Sequence, residues 1–259
     1  MLYDLTDVSF LIPFKKDSDE RVRNLNFVLS YLGKYFKTNI FIIEHDTQQN
    51  FSLDNTIIGE NKIDYQFIKS ENYIFHRTKL LNLMAKKSKT QFICLYDLDV
   101  VFKIQQYLKC VEALRANVCD MVFPYSGPFI NYNGEILNKI LQEVSVESVL
   151  ESEGGNYNPN SVGGAIFFNK QKFIECGMEN EHFISWGFED LCRVSRNGKL
   201  GMRIARVDGI LYHLNHPVSD NSSNTKHGAY NTNHQEYAKV ANMSPDELQR
   251  YVNTWAWIK

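Results

Sequence analysis

The sequence predicts an α/β protein organised around a mostly parallel, doubly wound sheet with helices on both of its faces. Short apolar runs alternate with amphipathic stretches of helical spacing through residues 1–125. With 259 residues, 44% of them hydrophobic, the chain can bury one large core, so we expect a single domain over residues 1–259. The predicted strands of the first half are 7–13, 39–44, 63–68, 91–97 and 120–124, and the predicted helices are 19–33, 75–87 and 103–117.

The second half, residues 126–259, is less regular. Two short strands near its middle are expected to pair with each other, and the polar stretch 215–233 predicts a long mobile loop that closes as a lid. The full set of expected elements is a helix over 133–153, a turn-rich break at 154–160, a strand over 161–169, a helix over 170–175, paired strands at 202–207 and 209–214, and helices over 235–241 and 244–257.

The charge and composition exclude several classes of protein. A net charge of −2 is unlike the strongly basic surface of nucleic-acid-binding domains, so no nucleic-acid partner is expected. No apolar run has the length of a membrane span and no signal peptide is recognised, although peripheral membrane contact stays compatible with the sequence. The five cysteines include no CxxC pair and read as buried free thiols, which predicts a reducing, cytoplasmic location.

Two carboxylates, Asp97 and Asp99, follow the apolar run that forms the fourth predicted strand. Burying them is costly unless cations pair with them, and residues two apart in an extended chain point the same way. Because open α/β sheets bind ligands at the carboxyl ends of parallel strands, the pair predicts a site for a divalent cation and a nucleotide diphosphate. The alternative is a strand–loop junction with one capping and one solvated aspartate.

Basic residues follow the first predicted strand and lie at the start of the second predicted helix. Lys15 and Arg21 suit an anionic ligand near a helix N-terminus, although a solvated basic loop would look the same. Arg77 and Lys79, next to Phe75, oppose the helix dipole unless an anion lies there, and an aromatic ring can stack on a base. An ordinary amphipathic first turn is the alternative.

Later motifs add acids, glycines and imidazoles. Trp186 offers a flat wall for a sugar ring, and the adjacent acids Glu189 and Asp190 point in different directions, so one can hold a hydroxyl while the other removes its proton. They also fit the acidic first turn of a helix. His213 and His216 can bind Mn²⁺-like ions together only if a turn separates them; otherwise one is structural and one is on the surface.

Taken in order, these segments resemble the GT-A glycosyltransferases related to β-1,4-galactosyltransferases and bacterial chondroitin-type polymerases, over about residues 10–216. The resemblance implies a Rossmann-like GT-A fold with a nucleotide-binding half (1–125) and an acceptor and catalytic half (126–259). The segments that carry it are Ile12-Pro13-Phe14, the run from Phe75 to Asn82, Asp97-Leu98-Asp99, Gly163-Gly164, Gly177 with Asn180-Glu181, the run from Trp186 to Asp190, and His213 with His216.

By this resemblance the chain would be a metal-dependent, inverting transferase that moves a hexose or N-acetylhexosamine, galactose-type favoured, from a UDP-sugar to a saccharide or glycolipid acceptor. Asp190 would be the catalytic base and Glu189 would hold hydroxyls, while Asp99, His213 and His216 would ligate Mn²⁺ or Mg²⁺. The residues implied for the nucleotide and donor are Pro13, Phe14, Lys15, Phe75, Arg77, Lys79, Asp97, Gly164 and Trp186.

The chain departs from the animal enzymes at three positions: Phe188 replaces a glycine, Leu191 replaces an acid, and His213 lies near the position at which the animal enzymes use a methionine. The free cysteines fit a bacterial cytoplasmic enzyme that builds a surface polysaccharide. Two other functions are weighed against this one: a metal-dependent phosphohydrolase, which also clusters Asp and His, and a non-catalytic carbohydrate-binding module.

Overall fold

The computed structural model describes residues 2–72, 74–222 and 228–258, which form two sheets and eight α-helices within those ranges. The strands are β1 (Tyr3–Phe14), β2 (Phe36–Asp46), β3 (Lys62–Lys69), β4 (Phe92–Tyr96), β5 (Val100–Val101), β6 (Met121–Phe123), β7 (Phe129–Tyr132), β8 (Gly155–Asn158), β9 (Ala165–Asn169), β10 (Ile204–Arg206) and β11 (Leu211–Leu214). The helices are α1 (Asp19–Tyr35), α2 (Arg77–Lys87), α3 (Ile104–Arg115), α4 (Gly134–Glu143), α5 (Lys170–Glu175), α6 (Glu189–Lys199), α7 (Ala229–Asn242) and α8 (Pro245–Val252).

The large sheet has seven strands in the order β10-β6-β9-β4-β1-β2-β3. Its neighbours are parallel except at β9, which runs antiparallel to both β4 and β6. All five residues of the central strand β4 are buried. Since successive side chains of a strand alternate between faces, both faces of the sheet are covered at this point. The predicted doubly wound α/β class is therefore confirmed.

A second, four-stranded sheet in the order β5-β11-β7-β8 lies beyond the end of β4. The sequence predicted that the strands near residues 202–214 pair with each other, and this was wrong. β10 instead joins the large sheet beside β6, whereas β11 pairs antiparallel with β5 and parallel with β7. The pairing of His213 with Val100 brings the histidine to the strand that begins directly after Asp99.

The stretch predicted as a lid is shorter than expected. A short 3₁₀ turn occupies Asp220–Ser222, residues 223–227 lie outside the described residues, and α7 begins at Ala229, so the prediction of loop through residue 233 was wrong. The sequence did not predict the first turns of this helix because they are rich in Asn and Thr, which have weak helix propensity.

The last helices form a second, smaller core against α6. The buried members of this core come from α6, α7, α8 and the segments just before α6 and just after α8. They are Phe183, Cys192, Val240, Leu248, Val252 and Trp255. No helix within the described ranges combines the length and apolar character that crossing a membrane requires. All five cysteines are free and buried, as predicted.

Helix α1 begins where Ser18 accepts a hydrogen bond from the backbone N–H of Arg21, and it continues past Gly33, where the sequence predicted its end. Gly33 is required by packing, because a Cβ there would overlap the carbonyl oxygen of Ile57. The helix therefore lies directly against the backbone of the β2–β3 connection, and this contact fixes the height of α1 over the sheet.

Replacing Gly33 by alanine should lower the free energy of unfolding by about 1–3 kcal/mol, because a backbone carbonyl has little room to move away. Gly198 provides a matched control, since a Cβ there would meet its nearest atom, in Ile204, at 3.8 Å. Gly198 is an exposed position of α6, and Gly198→Ala should stabilise that helix by about 0.5–1 kcal/mol. Urea unfolding of both variants measures the difference, and equal stabilisation by both would contradict the packing role of Gly33.

Candidate active site

The two aspartates lie in a turn directly after β4 rather than in its extended part. The turn is closed by a hydrogen bond from Val100 N–H to the Asp97 carbonyl at 3.4 Å, and Asp97 N–H donates to the Gly164 carbonyl at 2.8 Å. Because the chain turns between them, the carboxylates reach two different cations instead of pointing the same way, which corrects the geometry expected for an extended segment.

Asp97 is held by Arg77, the first residue of α2. Both Nε and Nη2 of Arg77 donate to Asp97 Oδ1, at 3.0 and 2.6 Å. Burial raises the pKa of Asp97, and the Arg77 guanidinium offsets only part of that effect. Arg77 Nη1 is buried, and among the described residues no atom accepts a hydrogen bond from it. This leaves one donor of the guanidinium available to an anion.

Asp99 is the meeting point of three basic groups. Its Oδ2 lies 2.6 Å from Arg21 Nη1 and 3.0 Å from His216 Nε2, and its Oδ1 lies 3.9 Å from His213 Nε2. Burial alone would raise the pKa of Asp99, but Arg21 and the two histidines outweigh burial and hold it well below the usual range. Asp99 is therefore a buried carboxylate that stays ionised.

Asp99, His213 and His216 place one potential ligand atom each within 4.8 Å of the others. His213 Nδ1 lies 2.7 Å from Asn131 Oδ1, and Asn131 in turn donates from Nδ2 to Asn215 Oδ1 at 2.9 Å, so His213 must be the donor. His216 Nδ1 lies 2.8 Å from the carbonyl oxygen of Pro217, which can only accept. Both neutral rings therefore carry their proton on Nδ1 and present a lone pair at Nε2.

The protonation preferences of the two imidazoles differ. Burial lowers the pKa of His213 to about 4, so this ring is neutral at physiological pH. Burial also acts to lower the pKa of His216, but the hydrogen bond to Asp99, the charge of Asp99 and the hydrogen bond to Pro217 together outweigh burial and raise this pKa above the ordinary value. One carboxylate and two Nε2 atoms with oriented rings are a donor set that fits Mn²⁺ or a similar ion.

Asp190, in the first turn of α6, belongs to a second cluster of charges next to the first. Arg193 Nη1 donates to Asp190 Oδ1 at 2.5 Å, and Arg77 Nη1 lies 3.9 Å from the same oxygen. Arg193 also binds Glu179 through two bonds of 2.7 Å, and both of these side chains are only 2% exposed. Arg77 thus connects Asp97 at the end of β4 with Asp190 at the start of α6.

Gly163 and Gly164 make these approaches possible. A Cβ on Gly163 would overlap Asp190 Oδ2, and a Cβ on Gly164 would lie 2.5 Å from Leu211 Cδ1. Gly164 also has a φ of 81°, in the region that favours glycine. The close approach that the pair permits in this structure is therefore that of protein side chains, with the Asp190 carboxylate packed directly on the backbone before β9.

Glu189 precedes Asp190 but faces a different environment. Its Oε2 accepts a hydrogen bond from the backbone N–H of Gly187 at 2.7 Å, and the residue is only 8% exposed. Burial, followed by the charge of Asp190, raises the pKa of Glu189 to about 7. The two neighbouring acids therefore point in different directions, as the sequence predicted.

Asn233 is a residue of this region that the sequence analysis assigned to a mobile loop. It is fully buried on α7, and it forms hydrogen bonds with backbone groups of the loop that carries Trp186. Its Oδ1 accepts from Ile184 N–H at 3.2 Å, while its Nδ2 donates to the carbonyls of Ile184 and Trp186 at 2.9 and 3.3 Å. No sequence signal identifies it, because one Asn in an Asn-rich stretch is inconspicuous.

The other residues expected to bind the nucleotide and donor differ in how far their side chains are exposed. Pro13 and Phe14 are buried, and the Phe14 ring packs edge-to-face on Phe51 in the connection between β2 and β3. Lys15 is buried too, and its ammonium lies 3.3 Å from Asp46.

The remaining three are Phe75, Lys79 and Trp186. Phe75 is buried, and its N–H donates to Asn221 Oδ1 at 2.8 Å, which ties the start of α2 to the segment after β11. Lys79 is exposed, and the Trp186 side chain is 45% exposed. Only Lys79 and Trp186 of the predicted donor-binding residues thus present an open side chain.

The raised pKa of Glu189 makes stability depend on pH. Its ordinary value is 4.5 and its folded value about 7, so the stabilisation from its bound proton is present below about pH 4.5 and is lost as pH rises through about 7. Glu189→Gln cannot ionise, so its free energy of unfolding relative to the wild type should rise by about 1–3 kcal/mol between pH 5 and pH 8 in urea titrations.

Glu247→Gln is the contrasting control, because hydrogen bonds from Ser244 lower the pKa of Glu247. That variant should lose stability relative to the wild type only as pH rises to about 4.5, and the difference between the two should stay constant between pH 5 and pH 8. A difference between Glu189→Gln and the wild type that does not change with pH would contradict the protonation assigned to Glu189.

The fold of this chain is similar to that of known protein structures. Neither a family model nor a curated protein sequence matches the chain. Among solved structures, the catalytic domain of Drosophila beta1,4galactosyltransferase 7 in complex with xylobiose is similar with a TM-score of 0.52 and 15% identity, over 92% of this chain and 82% of that one. GalNAc-T7 with UDP, GalNAc and Mn²⁺ is similar with a TM-score of 0.57 and 14% identity, over 95% of this chain and 50% of that one. The chain has the GT-A fold of glycosyltransferase catalytic domains, and it spans half the length of the second of these relatives.

Proposed function

We propose that the chain is a metal-dependent, inverting glycosyltransferase that moves a hexose or N-acetylhexosamine from a UDP-sugar to a saccharide acceptor. The observation that carries this proposal is the convergence of Asp99, His213 and His216 beside the linked pair Asp97 and Asp190 in a GT-A fold. The two similar structures support the ligand classes, because one was solved with UDP, GalNAc and Mn²⁺ and the other with xylobiose.

The donor end of the site is built to hold a charged leaving group. A divalent ion bound by Asp99, His213 and His216 supplies Lewis-acid neutralisation of the diphosphate. Arg77 contributes its unpaired Nη1 to the same anion, while Asp97 keeps the guanidinium in place. The residues we propose around the nucleotide and sugar are Pro13, Phe14, Lys15, Phe75, Arg77, Lys79, Asp97, Gly164 and Trp186.

The acceptor end is centred on Asp190. Its carboxylate takes the proton of the acceptor hydroxyl as that oxygen forms a bond to C1 of the sugar. The bond from C1 to the phosphate oxygen breaks at the same time, and UDP leaves with the bonding electrons. Because attack and departure occur on opposite faces, the configuration at C1 inverts. Glu189, whose pKa is raised by burial, holds a hydroxyl of acceptor or donor beside the base.

The exposed Trp186 ring gives the acceptor site an apolar wall, and Asn233 holds its loop. A galactose-type donor is our preferred choice, with a growing surface polysaccharide or a glycolipid as the acceptor. The five buried free thiols suit a reducing bacterial cytoplasm, where such a chain would be extended, with peripheral contact to the membrane if the acceptor is a lipid.

Calorimetric titration with UDP tests the ligand assignment. UDP should bind in the presence of Mn²⁺ and bind more weakly after chelation, because the diphosphate then lacks its main counter-charge. Hydrolysis of a UDP-sugar without any acceptor, at the rate seen with acceptor, would favour the phosphohydrolase. Absence of UDP binding under both conditions would refute the transferase.

Asp190→Asn should leave UDP and Mn²⁺ binding unchanged and reduce sugar transfer by about 10²–10⁴-fold, the range expected when a general base is removed. Asp64→Asn, an identical change at an exposed position of edge strand β3, is the control for net charge and should transfer normally. Initial rates with a UDP-sugar panel give the comparison, and unimpaired turnover in Asp190→Asn would remove the role assigned to Asp190.

A further inference from the structure

Arg21 introduces a cation into the group of proposed metal ligands. It lies in the first turn of α1, and its side chain is only 16% exposed. Its Nη1 lies 2.6 Å from Asp99 Oδ2 and 3.4 Å from His216 Nε2. One nitrogen of the protein therefore contacts two of the three atoms that would bind the metal ion.

The proton positions explain why this contact is favourable. His216 donates its Nδ1 proton to the Pro217 carbonyl, so in the neutral form, which is the form that binds a metal ion, the ring faces Asp99 with a lone pair. A lone pair and a carboxylate 3.0 Å apart repel each other unless a positive charge or a proton lies between them. Arg21 Nη1 provides that charge, because a guanidinium keeps its protons at every physiological pH.

We infer that Arg21 is a tethered cation that competes with the divalent metal ion for Asp99 and His216. This inference rests on the proposed function. Two positive charges at one carboxylate oxygen repel each other strongly at partly buried positions, so the metal ion binds only as the guanidinium moves off Asp99. The competition makes the site weak for the metal alone.

The donor supplies the anion that receives the displaced guanidinium. Arg21 Nε is buried, and within the described part of the chain it has no hydrogen-bond acceptor, so the group has spare donors before it moves. A guanidinium fork matches phosphate oxygens in two-point contacts. Arg21 thus couples the two ligands: UDP tightens metal binding by giving Arg21 a new partner, and by reciprocity the metal tightens UDP binding.

The inference is tested by Mn²⁺ affinity, measured from the free-Mn²⁺ electron paramagnetic resonance signal with and without UDP. Arg21→Gln removes the charge, and Arg21→Met removes it while keeping the apolar stem, which guards against a variant that fails to fold. Arg115→Gln is the control for net charge, because Arg115 pairs with Asp7 at the surface. Circular dichroism confirms that each variant is folded.

Without UDP, both Arg21 variants should bind Mn²⁺ about tenfold or more tightly than the wild type and the Arg115 control, because the competing charge is gone. The factor by which UDP tightens Mn²⁺ binding should be smaller in the Arg21 variants than in the wild type. The variants should also melt at a lower temperature without metal and gain more from Mn²⁺, since Asp99 is then left uncompensated.

Equal or weaker Mn²⁺ affinity in both Arg21 variants would overturn the inference and leave the metal site standing. An unchanged effect of UDP on Mn²⁺ affinity would overturn the coupling to the donor. If neither the wild type nor the variants bind Mn²⁺ even with UDP, the proposed function fails, and the inference fails with it.

Discussion

The compensation of two carboxylates at the end of β4 is the constraint on which the rest of the site depends. Besides the histidines that also contact Asp99, two arginines supply the charge: Arg77 from α2 pairs with the half-buried Asp97, and Arg21 from α1 pairs with the buried Asp99. Neither partner is near them in sequence, so both helices must be packed on the sheet before the charges are compensated. Assembly of the site is therefore inseparable from assembly of the nucleotide-binding half.

The pairing of opposite charges continues into the second half of the chain. Asp97, Arg77, Asp190, Arg193 and Glu179 follow one another, each beside a partner of opposite sign. The proposed base is thus oriented from both sides by guanidinium groups, and its carboxylate rests on Gly163. This series of alternating charges holds its side chains in position by electrostatic attraction and not by apolar packing alone. That arrangement suits a site that must admit a polar ligand.

Much of the large sheet could be predicted because its strands are continuous apolar runs. β4 and β9 are buried almost throughout, and such runs have few alternatives to a central strand. The small sheet was missed, since β7 and β8 have only four residues each and β8 is rich in Gly and Asn. They form by pairing between distant segments, β7 with β11 and β8 with β7, rather than by local propensity. Residue types suggested the acids and imidazoles of the site.

The partners of those residues could not be predicted from the sequence. The contact of Arg21 with Asp99 and the bonds of Asn233 to the Trp186 loop join segments distant in the chain. No periodicity encodes such contacts, because they depend on how α1 and α7 dock. The sequence therefore indicated the chemistry of the site, while the structure was needed to show which groups compensate and position one another.

The pairing of β11 with β5 has a mechanical consequence. His213 lies opposite Val100, and a slip of one residue would turn its ring to the other face of the small sheet, away from Asp99. A bound ion would hold these two strands against sliding, so occupancy of the site would stiffen this short two-stranded ribbon.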